Sequence, residues 1–383
     1  MKTVIAIDSF KGSMTSMEAG NAAAAGVKAV FPDAEIVVRP LADGGEGTVE
    51  ALTTGMGGRM ETALVSDPLG RKISASYGIL GKNKTAVIEM AAAAGLPLLS
   101  KEERNPLHTT TYGVGELIRD AIRKGCRHFI VGIGGSATND GGVGMLSALG
   151  FEFLDKSGQP VRNGAAGLAD LTEIRSGHVL PVLKECTFRV ACDVENSLCG
   201  ELGCSSVFGP QKGADEKSIR QMDQWLFSYA QLTKEHFLQA DENCPGAGAA
   251  GGLGFAFQSY LGARLEPGIR IVLEETGLER EMADADFVLT GEGRMDEQTA
   301  MGKAPVGVAK LAKTHGCTVI AFAGALQEGF TVCHEIGIDA AFCIQKRAVS
   351  LEEAMDRDAA MQNLKDTCKE AFRLVKAVVG VPQ

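Results

Sequence analysis

The amino-terminal stretch MKTVIAIDSF turns polar after seven residues, too soon for a secretory core or a membrane span, so a cytoplasmic protein with no membrane partner is expected. Ten cysteines are present, yet none falls into CxxC pairs with matching histidines, which leaves a zinc site unsupported. They read instead as small core residues of a reduced protein. No GxxxxGK[ST] occurs, nor HRD or DFG, so neither a P-loop nor a protein-kinase site is present. No GxSxG elbow appears and the six histidines mostly lie outside the glycine-rich loops, which argues against Ser-His-Asp chemistry. His108, in NPLHTTTYG, is the one histidine kept as a candidate. A basic surface is lacking too: the net charge is -10, which speaks against nucleic acid or anionic membrane as partner. Fixed-period repeats and low-complexity linkers are also missing.

What is there is a chain of 383 residues, 45% hydrophobic, enough for a packed core in two domains or in one carrying an insertion. TVIAID (3–8) and EIVVRPL (35–41) read as short buried strands, with a helix from Thr15 to Val30 between them. FVLTGEG (287–293), TVIAFAGAL (318–326) and AAFCIQ (340–345) repeat the pattern, with helices over 302–315 and 351–379. Strand, loop and helix in that order define an α/β fold with a Rossmann- or flavodoxin-like parallel sheet. The middle differs. RMETALVSDPLGRKISASYGILGKNKTAVIEM alternates around the turn signals DPLG and GKNK, as an antiparallel meander does. It gives way to a helix over 111–124 and a strand over 128–134 that fits either sheet. The expected division is a discontinuous parallel-sheet domain of 1–60 and 275–383 around a mixed α/β domain of 61–274.

The 48 glycines exceed the usual share of about 7% and they cluster. Five loop regions combine glycine with a carboxylate, often with lysine or a hydroxyl: DSFKGS (8–13), ADGGEGT (42–48), GGSATNDGG (134–142), CDVENSLCG (192–200) with FGPQKGA (208–214), and TGEGRMDEQTAMGKAP (290–305). Glycine lets backbone amides converge on an anion, and a helix starting next adds its positive end. Carboxylates there repel phosphate unless a divalent cation lies between. Nucleotide-dependent phosphoryl transfer needs that combination. For any one loop, an Asp, Ser or Thr that merely caps a helix explains as much; five at predicted strand ends of one chain do not share that explanation easily. PGAGAAGGLG (245–254) contains G-x-G-x-x-G, the dinucleotide fingerprint, but polar helix-like sequence precedes it where a buried strand is required. Close helix packing is the better account.

DSFKGS, ADGGEGT, GGSATNDGG, FGPQKGA, GAGAAGGLG and TGEGRMDEQTAMGKAPVGVA together resemble the bacterial glycerate kinase family, the type that phosphorylates the 2-hydroxyl. The likeness runs from the first strand to about residue 345. It departs from the family's usual form in the loop CDVENSLCGELGC, at Glu195, Ser197 and Cys204. The resemblance implies ATP and D-glycerate as substrates, magnesium as cofactor, and a site in a cleft between two α/β domains. Oligomeric state stays open, a homodimer being one arrangement.

If glycerate is the substrate, fixed cations must meet its carboxylate and a base must stand at its hydroxyl. Lys11, Arg71, Lys212 and Lys303 are the cationic candidates, Lys11 alternatively steadying the transferred phosphoryl group. Asp193, after the apolar FRVAC, is the candidate base, and Asp43 completes the catalytic set. Asp43, Glu46, Asp140 and Asp296 are candidate metal ligands. Asn139 is placed against phosphate or substrate hydroxyls. Gly134, Gly135 and Ser136, with Gly141 and Gly142, would cradle phosphate. Asp8 and Ser9 close the rim as substrate-binding candidates, and Gly291, Glu292 and Gly293, with Lys303, are nucleotide- or phosphate-binding candidates on the opposite wall. Two rival readings remain: an NAD(P)-dependent hydroxy-acid dehydrogenase, resting on GAGAAG, and a regulator that binds glycerate without turnover.

Overall fold

The computed structural model describes residues 1–45, 47–81 and 83–379, the side chain of Val379 excepted. Two compact units emerge: Met1–Asp43 with Glu50–Met56 and the chain from Ile269 onward, and Gly44–Val49 with Gly57–Gly268.

The first unit is built on a five-stranded sheet in which every pair is parallel. Its order is Ala340–Cys343, Thr318–Leu326, Phe287–Met295, Lys2–Ile5, Glu35–Val38. Strands buried on both faces need no alternation, and Val4 and Ile5, Val288 and Leu289 are all inaccessible to solvent. Helix Ser16–Lys28 starts on a reciprocal cap: the Thr15 hydroxyl accepts from the Glu18 amide at 3.3 Å while the Glu18 carboxylate accepts from the Thr15 amide at 2.9 Å. Such a cap stabilises a helix by about 1 kcal/mol. Ala19, Ala23 and Val27 of this helix share a core with Leu364, Cys368 and Phe372 of helix Arg357–Val379.

The sheet order places a topological reversal at Lys2–Ile5. From that strand the chain steps to Glu35–Val38 on one side, and the later strands fill the other, beginning with Phe287–Met295. Ligands of open parallel sheets sit at such a reversal, outside the carboxyl ends of the strands. Here those ends carry Asp8, whose amide donates to Gly291 O at 2.9 Å.

The second unit carries a six-stranded mixed sheet, ordered Arg264–Glu266, Thr187–Ala191, His128–Gly132, Thr85–Glu89, Lys72–Leu80, Arg59–Ser66. The first four are parallel and the last two antiparallel. A separate antiparallel pair joins Glu152–Leu154 and Glu173–Arg175. The meander is therefore present, and the strand open to either sheet lies in this one. Helices Tyr112–Arg123, Glu216–His236 and Ala249–Leu261 contribute to one core. In it Phe151 meets Tyr260 edge-on at 5.2 Å and Phe129 stacks on Phe188 at 4.8 Å.

Two expectations change in detail. The helix expected over 351–379 is interrupted. Leu351–Ala354 ends at Met355, and Asp356 accepts from the Ala359 amide at 2.9 Å, starting the long helix afresh. All ten cysteines are free thiols, but only Cys126, Cys204, Cys317, Cys333 and Cys368 are buried.

Candidate active site

The second unit opens a pocket of about 320 Å³ at the carboxyl ends of Thr187–Ala191 and His128–Gly132. Gly134 and Gly135 line it from an exposed stretch of backbone, and Ser136, Asp193, Gln211, Lys212 and Ala250 join them. Asp193 is exposed, and its Oδ1 accepts from the Gly268 amide at 3.0 Å. Lys212 is the opposite case. It is 1% exposed, its Nζ donates to Thr138 O at 2.7 Å, and burial pushes its pKa down to about 8. Cys204 and Asp140 nearby oppose that fall, not enough to restore the usual value. A buried ammonium with one carbonyl partner among the described residues keeps unused donors for an anion.

Beneath this pocket the GAGAAGG stretch does something other than bind a dinucleotide. Ala250, Gly251 and Gly252 all have left-handed backbone (φ 53, 68 and 91) at the start of helix Ala249–Leu261. Gly251 O accepts from the Gly141 amide at 2.9 Å, and a Cβ on Gly251 would lie 2.1 Å from Thr138 O. The turn is thus clamped on the Thr138–Gly142 backbone, whose Thr138 carbonyl also holds Lys212. A turn and helix precede it, not a strand, so the dehydrogenase alternative has no support.

The first unit has its own pocket, about 530 Å³, at the reversal point of its sheet. Asp8, Ser9, Lys11, Asp43, Glu292, Gly293 and Lys303 line it. Asp8 is buried, and its pKa rises to about 7 through burial and then through the Asp43 carboxylate, against the Ser9 amide at 2.7 Å and Lys11. Glu292 is also pushed up by burial, although Thr299 Oγ1 donates to it at 2.6 Å. Lys11 reaches Asp43 at 3.9 Å, and Lys303 reaches Asp296 at 3.8 Å.

Several expected residues take other places. Asp140 is fully buried and accepts from the Thr111, Gly142 and Gly144 amides and the Thr111 hydroxyl, at 2.8 to 3.2 Å. Burial raises its pKa against those donors. It braces the loop onto two helices and lacks the open oxygens of a metal ligand. Asn139 is likewise buried, donating to Ser205 Oγ at 2.8 Å. Gly141 and Gly142 pack against Tyr229 and Ala256 and do not line the pocket, so only Gly134–Ser136 remain as a cradle. Asp296 caps helix Glu297–Ala300 through the Gln298 amide at 2.9 Å. Arg71 lines neither pocket; its guanidinium is held by Asp67, by Glu103 at 2.7 Å and by Leu98 O at 3.4 Å. Gly291 is buried in its strand and lines neither pocket. His108 is exposed and outside both pockets. Glu46 lies outside the described residues.

Other residues come to the site unannounced. Gln211 stands beside Lys212 within FGPQKGA, where its amide could have drawn attention. Gln327, Gln345, Leu351 and Met355 line the larger pocket; they carry no charge or glycine signal, and only the sheet order brings them there. No group of three or more His, Cys, Asp or Glu suited to a metal occurs among the described residues. None of the helices described is long and apolar enough to cross a membrane.

Carboxylates, lysines and glycine amides at the carboxyl ends of parallel strands in both sheets define an enzyme that handles small anions. Residues 3–376 match the model of the glycerate kinase family. The chain is 48% identical to the glycerate 2-kinase of Escherichia coli, covering 92% of this chain and 93% of that one. It is 46% identical to a glycerate kinase of Haemophilus influenzae, covering 98% and 99%. A solved structure from Salmonella typhimurium, provisionally assigned as glycerate kinase 2, superposes with a TM-score of 0.92 at 43% identity over the whole of both chains. The chain belongs to the glycerate kinase family.

Proposed function

We propose that the protein transfers the γ-phosphoryl group of ATP to the 2-hydroxyl of D-glycerate, giving 2-phosphoglycerate and ADP. The observation that carries this reading is the pairing of Asp193 and Lys212 in one small pocket with the exposed Gly134–Gly135 backbone, in a chain of this family. Lys212 orients the glycerate carboxylate, Asp193 takes the proton of the attacking hydroxyl, and the amides of Gly134 to Ser136 meet phosphate oxygens. In the first unit Lys11, with Asp43 at 3.9 Å, is a cation suited to phosphate charge.

Magnesium fits the carboxylates of that unit. Asp43 raises the cost of ionising both Asp8 and Glu292, and Glu292 adds to it at Asp8, which a divalent cation relieves. Too few acids gather for a protein-only cage, consistent with an ion that takes one or two carboxylates plus phosphate oxygens and water. When bound, it supplies charge neutralisation between phosphate and carboxylate.

An enolase-coupled assay tests the reaction. Signal from ATP and D-glycerate without added phosphoglycerate mutase reports the 2-phosphate; a signal that appears only with mutase assigns the 3-hydroxyl instead. ADP formation independent of glycerate, or none at all, removes the reading, and glycerate binding without turnover points to the regulator.

A further inference from the structure

A cavity of about 380 Å³ lies within the second unit and shares no lining residue with either pocket described above. Its frame is tightly packed backbone. Gly115 lets helix Tyr112–Arg123 close on helix Val143–Ala148, since a Cβ there would stand 2.3 Å from Met145 O. The chain around His178 is laid against the end of the second helix. The Leu180 amide donates to Leu149 O at 3.1 Å, and Gly150, at φ 100, leaves room that a Cβ would take 2.2 Å from His178 O. About one and two turns beyond Gly115, on the same side of its helix, stand Arg119 and Arg123. Both line the cavity, with Ile122, Leu180 and Val182.

The charge at this cavity is unbalanced. Arg119 gives one donor, to Ala148 O at 3.3 Å, and Arg123 has no hydrogen bond or ion pair among the described residues. The carboxylates of the same helix are engaged elsewhere, Glu116 by Lys72 at 2.7 Å and Asp120 by Lys124 at 2.8 Å, while Glu152 stands against His178 at 3.3 Å. The chain as a whole is acidic, with a net charge of -10, yet two neighbouring guanidiniums are left with unused donors and like charge that an anion would relieve. The carbonyl end of helix Tyr112–Arg123 opposes an anion with roughly half a negative charge, against two full positive ones. We propose that this cavity binds a small organic dianion, its acid groups on Arg119 and Arg123 and its carbon body against Ile122, Leu180 and Val182. Guanidinium meets carboxylate or phosphate through two parallel hydrogen bonds, and the volume falls within the roughly 300–1,000 Å³ of small-molecule sites. The assignment takes nothing from the kinase reading.

The test is calorimetry on the full chain with succinate as probe, at fixed ionic strength and with ADP and D-glycerate in excess. Arg123→Glu is expected to raise the Kd for succinate at least about tenfold, and Val182→Asp likewise, with kcat and both KM values measured without succinate staying within about twofold. Arg220→Glu makes the same charge change on an exposed stretch of helix Glu216–His236 and is expected to leave the Kd within about twofold. Inorganic phosphate at about pH 8, a dianion without a carbon body, is expected to bind at least about fivefold more weakly than succinate. Should Val182→Asp fail to fold, the exposed positions Arg123 and Arg220 carry the comparison. No succinate binding by the wild type, an unchanged Kd in Arg123→Glu, or equal weakening by Arg220→Glu overturns the site. Phosphate binding as tight as that of succinate overturns its assignment to an organic ligand.

Discussion

Burial and the neighbouring Asp43 carboxylate together hold the Asp8 carboxyl at about 7, at the reversal point of the first unit's sheet. The folded chain therefore keeps a proton that the unfolded chain releases near its ordinary value of 3.8. Stability contributed through Asp8 is complete below about pH 4, declines as pH rises, and is lost above about pH 7. The span corresponds to about 4 kcal/mol at most. Asp8→Asn removes this slope. In chelator-containing buffer the variant is expected to melt near the wild type at about pH 5 and several degrees above it at about pH 8. Parallel Tm profiles across that range would show that Asp8 ionises normally.

Asp193 offers the cleanest separation of chemistry from folding. It is exposed, and one hydrogen bond to it runs from the Gly268 amide to Oδ1, an acceptor that an Asn side chain reproduces. Asp193→Asn is expected to lower kcat by at least about a thousandfold, about 4 kcal/mol of transition-state stabilisation, while Tm moves by about a degree. Retention of near wild-type kcat would assign the proton to another acceptor.

Lys212 carries the reverse expectation for stability. Its folded pKa of about 8 lies below the ordinary 10.5. The cost of burying the charge is thus fully present below about pH 8 and disappears as pH rises towards about 10.5. Lys212→Met takes that cost away but also takes away the cation for glycerate. At neutral pH the variant is expected to melt no lower than wild type, and kcat/KM for D-glycerate to fall at least about a hundredfold. A small kinetic effect with a lowered Tm would make the lysine a brace for Thr138 O and no more.

The central strands of the first sheet were legible because they are buried on both faces, so TVIAID and FVLTGEG stand out as apolar runs cut off by glycine and acid. The loops beyond them were legible for the same reason, and Asp8, Lys11, Asp43, Lys212 and Asp193 line pockets. GGSATNDGG was read too uniformly. Its first glycines face the pocket, but Asn139, Asp140, Gly141 and Gly142 are packed under a turn supplied from residues 250–252. A glycine that admits a ligand and one that admits another backbone look alike in one dimension. Arg71 misled because its partner Glu103 lies 32 residues away. Ile344, Leu351 and Met355, which line the larger pocket, have no signature at all.

That turn makes the last prediction. Gly251 sits at φ 68, and an added Cβ would stand 2.1 Å from Thr138 O and 2.6 Å from Asn139 Cα. Both obstacles are backbone, which cannot swing aside as a side chain does. Gly251→Ala adds about 1–2 kcal/mol for the left-handed conformation to the cost of moving the loop. The displaced carbonyl is the one that holds Lys212 Nζ at 2.7 Å. The variant is therefore expected to lose at least about 3 kcal/mol of stability. Whatever remains folded should show a raised KM for D-glycerate with KM for ATP little changed. Denaturant unfolding beside two-substrate kinetics checks both halves. A variant as stable as wild type would mean that the turn is not seated on Thr138, and a KM change confined to ATP would separate the turn from the glycerate pocket.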